Sequence, residues 1–156
     1  MATYQNQNQF AMTPELGQVA QTPNSSVVSV LINPASVATV IQNGSPVKLI
    51  TGTSNQVMVD VGSDPTNDVI YGVIIYNLRK NQYSPGDNAE VATGGSVMFM
   101  ETSAAVNRGT TVAINPAGPT VATDTTTGHQ VGGVALDQAA AANTLIRVLV
   151  KPAKNP

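Results

Sequence analysis

From Val27 onward the chain runs as short β-prone segments broken by turn residues. Val27-Val28-Ser29-Val30-Leu31-Ile32 stops at Asn33-Pro34. Ser36 to Ile41 leads into Asn43-Gly44-Ser45-Pro46 and Val47 to Ile50 leaves it, which predicts a hairpin. Val57, Val59 and Val61 share one parity, with Met58 and Asp60 on the other, so this strand should keep one partly wet face. Val69 to Tyr76 is apolar on both parities and predicts a central strand covered on both sides. Further strands are expected at 89–91, 96–101, 110–114, 120–122, 130–136 and 145–151. No window longer than about ten residues carries a 3.6-residue apolar repeat. Thr13–Leu16, Ser103–Asn107 and Gln138–Ala142 offer single helical turns at most. Strands at regular spacing without intervening helices predict an all-β fold, a small β-barrel or sandwich of short antiparallel strands.

Two features organise this pattern. Residues 1–26 are rich in Gln, Asn, Ser, Thr and Pro, with isolated apolar residues that cannot by themselves bury enough area to offset the entropy of ordering. They predict an extended polar N-terminal arm ahead of a β-rich domain at 27–156, with Phe10, Met12, Leu16 and Val19 as anchors for contact with another subunit or a partner. Within the domain, the segments Val47–Ile50, Val57–Val61, Tyr71–Val73 and Ala89–Val91 recur as Thr111–Ile114, Thr120–Ala122, Gly132–Val134 and Ile146–Val148. Val59 and Val121, Val73 and Val134, and Val91 and Val148 lie about sixty residues apart, a long period for a repeat array. Such a repeat would make two similar lobes, at 27–92 and 93–151.

Composition narrows the functional classes. Only 10% of residues are charged, against about 25% in ordinary soluble domains. A surface of uncharged polar groups suits packing against neighbours. The net charge of −2, with Arg79-Lys80 as the one adjacent basic pair, argues against binding nucleic acid. There is no cysteine, so disulfides and thiolate chemistry are excluded, which fits assembly in a reducing cytoplasm. MATYQNQNQF has neither a basic nor an apolar leader pattern, and Val69–Tyr76 is too short to cross a bilayer, so no membrane association is expected.

Catalytic chemistry finds little to work with. His129 is the single histidine, in Thr-Gly-His-Gln, and reads as a loop residue. A zinc site would need carboxylates in place of the missing His and Cys ligands. Thr93-Gly94-Gly95-Ser96 lacks the flanks of a nucleophile elbow, and no phosphate-cradling loop is present. Asp60, Asp64 and Asp68, with Asn67 between, could offer oxygen ligands to a cation, but turn chemistry explains them more simply. The expectation is a non-enzymatic protein without cofactor or metal.

The second half carries a resemblance. Ala89-Glu90-Val91, Ser96 to Glu101 and Ala104-Ala105-Val106-Asn107-Arg108-Gly109 lead into Thr111–Ile114, a turn at Asn115–Gly118, and Thr120–Ala122. The chain then runs Val131-Gly132-Gly133-Val134-Ala135-Leu136-Asp137, an Ala run, and Leu145-Ile146-Arg147-Val148-Leu149-Val150. This succession, over residues 69–151, is similar to the capsid decoration or structural cement proteins of tailed phages. The resemblance implies a β-rich protein on the outside of the virion shell, bound to the major capsid protein as a homotrimer and stapling neighbouring capsomers, with no catalytic residues. The arm and residues 27–50 depart from it. Other virion roles (tail tube or head-fibre base) and a carbohydrate-binding adhesin module are the rival readings; the lack of Trp weighs against the last.

Overall fold

The computed structural model of the chain describes residues 16–21, 26–38, 40–52, 56–62, 64, 66–77, 79–114, 120–123 and 130–154. Every regular element in them is a β-strand. A short β1 (Val19–Gln21) precedes two closed barrels of five strands each. The first comprises β2 (Val27–Ile32), β4 (Pro46–Leu49), β5 (Met58–Val61), β6 (Ile70–Ile74) and β8 (Asn88–Ala92), in the cyclic order β2-β5-β4-β6-β8. Two further short strands, β3 (Ile41–Gln42) and β7 (Gln82–Tyr83), pair with each other beside it. The second comprises β9 (Val97–Thr102), β10 (Thr111–Ile114), β11 (Thr120–Thr123), β12 (Gln130–Ala135) and β13 (Leu145–Lys154), closed as β9-β11-β10-β12-β13. Closure leaves few sheet edges open, which is the usual way small β proteins avoid edge-to-edge association.

The expected all-β architecture with two similar lobes is present, and the likeness reaches individual hydrogen bonds. Each barrel has one parallel seam, β2–β5 and β9–β11, and four antiparallel pairings in the same order. Ile32 N–H donates to Asp87 O (2.8 Å) as Thr102 N–H donates to Thr144 O (3.0 Å). Gly44 N–H donates to Ile74 O as Gly109 N–H does to Ala135 O, both at 2.8 Å. The Ile41–Tyr83 pairing of β3 and β7 returns as the isolated bridge Val106–Ala139. At the same crossing of each barrel stands a glycine. A Cβ on Gly72 would strike the Ala92 carbonyl and the Val91 side chain, and one on Gly133 the Leu149 carbonyl and Val148.

Alternation fills the barrel interiors. Val30, Ile32, Ile41, Val47, Val59, Ile74, Tyr83, Ala89 and Val91 form the first core, and the second is built on Met98, Met100, Val112, Val121, Ile146, Val148 and Val150. Strand β6 explains why Val69–Tyr76 is apolar on both parities. Ile74 packs into the first core, whereas Val73 belongs with Ala92 to the second. This strand is therefore sandwiched between the barrels, as its two-sided pattern requires.

Two local expectations are corrected. No hairpin forms across Asn43–Pro46: β3 pairs with β7, and β4 with β5 and β6. Asn43-Gly44 does make a turn, but the strands on either side find partners further along the chain because those partners close a core. The Ala run and Ser103–Asn107 form no helical turn and instead meet through the Val106–Ala139 bridge, whose two N–H groups each donate to the other residue's carbonyl.

Candidate interaction surface

The arm enters the described structure at Leu16 and acts as a clasp between the barrels. Gly17 N–H donates to Phe99 O of the second barrel (2.7 Å), and Gly17 O accepts from Tyr76 N–H of the first (2.9 Å). Phe99 N–H in turn donates to Gln18 O (2.8 Å), and Val19 lies opposite Met98 as β1 adds antiparallel to β9. Only glycine fits the bend. Gly17 has φ +77°, and a Cβ there would lie 2.7 Å from Gly44 N and 3.0 Å from Ile74 O.

Of the four anchors expected from sequence, the structure places two. Val19 is half-buried against β9; Leu16 is half-buried and lines a cavity of about 220 Å³ with Gln42, Asn43, Tyr76, Asn81 and Gln82. Both rest on the chain's own barrels. Phe10 and Met12 lie outside the described residues, as does His129.

A second feature went unread in the sequence. Among the described residues the large apolar side chains left exposed are Val27, Val37, Val40, Leu49, Val57 and Val69, all from the first lobe. Leu49 (52% exposed) joins two shallow recesses on that lobe's flank. One, of about 390 Å³, is lined by Lys48, Val69, Ile70 and Tyr71 among others; the other, of about 430 Å³, by Ile50, Val57 and Met58. The Lys48–Asp68 ion pair (2.8 Å) stands at the rim of the first. Leu49, Val57 and Val69 thus leave apolar side chains open to solvent around these recesses, with Lys48 and Asp68 beside them. The sequence signal was weak because Val57 and Val69 precede strands whose other valines and isoleucines do point inward.

The carboxylate loop is held by turn bonds and ion pairing. Asp60 accepts from Asn33 Nδ2 (3.0 Å), Ser36 Oγ (2.5 Å) and its neighbour Val61 N–H (2.8 Å). Asp64 accepts from the Thr66 and Asn67 N–H groups and from Asn67 Nδ2 (2.8 Å), and the side-chain bond from Asn67 does most to hold its pKa below the usual carboxylate value. Asp68 accepts from Lys48 Nζ and from Asp64 N–H. Among the described residues no group of three His, Cys, Asp or Glu is placed to hold a metal ion, and no helix is long and apolar enough to cross a membrane.

The remaining ionic contacts pin loops to barrels. Lys80 pairs with Asp87 (2.7 Å) and sits 5.2 Å from the centre of the Tyr83 ring, whose hydroxyl pKa is pushed up by burial. Arg147 grips Asp137 through Nη2 (2.7 Å) and Nε (2.9 Å), and its own N–H donates to the same carboxylate. That bidentate bond from Arg147 is the main cause of the lowered Asp137 pKa.

Comparison with known proteins follows the same line. The family model described as structural cement protein (E217 gp24/Pam3 gp6) matches residues 4–151. Among solved structures, the head fiber gp8.5 N base of bacteriophage phi29 superposes with a TM-score of 0.55 at 11% identity, over 83% of this chain and 97% of that one, a likeness of fold. No curated protein matches in sequence.

Proposed function

We propose that this chain, which belongs to the structural cement protein family, binds the outside of a phage head and bridges neighbouring capsomers. The observation that carries this reading is the group of exposed apolar side chains Leu49, Val57 and Val69 around two adjoining recesses on one flank of the first lobe. A bridging protein needs one surface that buries apolar area against the major capsid protein and a body stiff enough to hold that surface in place. Two closed barrels clasped by the arm supply the stiffness. Assembly of copies, a homotrimer in this reading, multiplies weak single contacts by avidity. The arm, with Phe10 and Met12, provides inter-subunit contact. Closed barrels built from long-range pairings fold slowly, and a high barrier to unfolding would suit a particle that must persist. The fold shared with a head-fibre base favours a fibre-anchoring role as the second reading.

The test is to mix the purified chain with undecorated shells of its own virus and measure co-sedimentation and shell melting. The wild-type protein should sediment with the shells and raise their melting temperature. The double variant Leu49→Ser/Val69→Ser should keep its own fold and bind at least tenfold more weakly, since two partly exposed aliphatic side chains are worth about 1.5 kcal/mol or more on burial. Wild-type protein that ignores the shells would sink the reading.

A further inference from the structure

The two barrels differ at one strand edge. On β9 the outer edge is shared: β11 covers Glu101 and Thr102, and β1 covers Val97 and Met98. On the matching strand β2, β5 covers Leu31 and Ile32, and no strand among the described residues covers Val27–Ser29 on that side. The backbone there points outward. Glu90 gives its carbonyl to Ile75 N–H, so the facing Ser29–Glu90 pair exchanges no bonds, and the Ser29 N–H and C=O look away from β8. The equivalent groups of Phe99 are those bound by Gly17 and Gln18. Exposure records the same difference: Val27 is 44% open, whereas Val97, its counterpart beneath β1, is 8% open.

We infer that the β2 edge at Val27–Ser29 is an acceptor for an added antiparallel strand, and that its occupant is the N-terminal segment, residues 1–15, of a second copy of this chain. The occupant of the matching edge in the second barrel is the next part of that same arm, which shows what kind of strand this geometry takes. Strand addition draws affinity from main-chain bonds and so tolerates the polar Gln/Asn sequence of residues 5–9. Tyr4, Phe10 and Met12 share one parity, so a strand laid on the edge presents them together on one face. The chain's own arm is badly placed to do this. It enters the described residues at Leu16, beside the end of β6, and β6 is the strand furthest round the barrel from the β2–β5 seam. Fifteen extended residues reach about 50 Å, enough to pass to a neighbour. Donor and acceptor on opposite sides make a head-to-tail contact, which closes into a ring when the rotation permits. The inference rests on reading the arm as an inter-subunit element; it does not depend on capsid binding.

The chain contains no cysteine, so disulfide trapping is clean. Full-length Ser29→Cys is mixed with Asn8→Cys, Phe10→Cys or Met12→Cys, oxidised without shells present, and resolved by intact mass. At least one pairing should give reducible mixed dimers that neither variant forms with wild-type protein. Deleting residues 1–15 while keeping Leu16 onward should bring the light-scattering mass down to one chain, 16.1 kDa before the deletion, with the melting temperature retained. Internal disulfides in the doubly substituted chain, without mixed dimers, would instead mean that the arm closes on its own barrel. A deletion variant that keeps its oligomeric mass, or wild-type protein that is monomeric at micromolar concentration, also overturns the inference. A deletion variant that has lost its oligomer but still sediments with shells leaves the capsid role standing apart from it.

Discussion

In the first barrel the isopropyl group of Val27 meets solvent; at the matching point of the second barrel Val97 lies under the arm. The first barrel also carries every exposed large apolar side chain among the described residues, while its neighbour's flank is braced by Asp137–Arg147. The two barrels share strand order and pairing sense, and the burial of Val97 follows from the one added strand, β1, that β9 carries and β2 lacks among the described residues. Interior positions alternate alike in the two barrels though their side chains differ in size, as Tyr83 and Ala139 do, whereas the outer surfaces differ in exposure. One barrel leaves apolar side chains open to solvent, and the other holds the arm.

The comparison breaks most visibly at the two crossing glycines. Gly72→Ala and Gly133→Ala should each cost about 3 kcal/mol, because the added methyl meets a backbone carbonyl that the opposing strand cannot move aside. Equilibrium urea unfolding measures both, and a much smaller loss at one site would mean that its crossing is looser than its twin. A smaller effect is expected where the barrels use different residues for one backbone shape. Gly86 (φ 89°) and Asn143 (φ 58°) stand at the same turn before the last barrel strand. A Cβ on Gly86 meets nothing, so Gly86→Ala should cost only the left-handed backbone penalty, about 1–2 kcal/mol, and Asn143→Gly should stay within about 0.5 kcal/mol. Equal losses in thermal melts would show that Asn143 earns its place through something other than its backbone angle.

The smallest difference belongs to the exposed ion pair. Asp137→Asn should cost below about 1 kcal/mol, since water screens both partners. The folded-state pKa of Asp137 is lowered, so its stabilisation is complete above the ordinary value of 3.8 and vanishes as pH falls through the folded value. Melting curves of wild type and variant should converge in acid; a gap that persists there would assign the effect to packing.

Much of this fold was legible in the valines. Val59 and Val121, Val73 and Val134, and Val91 and Val148 do occupy matching barrel positions. The first strand of the repeat escaped notice because VVSVLI and VMFMET have only their first residue in common: Val30 faces the core as Met100 does, while Ser29 and Phe99 sit outside it. Partner choice was unreadable at Asn43-Gly44, where local turn chemistry is plain but pairing is decided by residues some forty positions away. Strands as short as β3 and β7 leave no period to detect. The apolar flank was hidden for a related reason, since Leu49 and Val69 continue runs whose other members are core, and only the closed barrel shows which ends overhang.

The clasp at Gly17 has a consequence in time. Its partner Phe99 follows it by roughly eighty residues, which at about 5–20 residues per second means roughly 4–16 s of synthesis before the two can meet. During that interval the nascent arm lacks its β9 partner, with Tyr76 the earlier of its two contacts to be made. A greasy segment would find other strands first; one made of Gln, Asn and Thr, with aromatic residues widely spaced, can wait. The polarity of the arm is thus a property of the growing chain as much as of the finished particle.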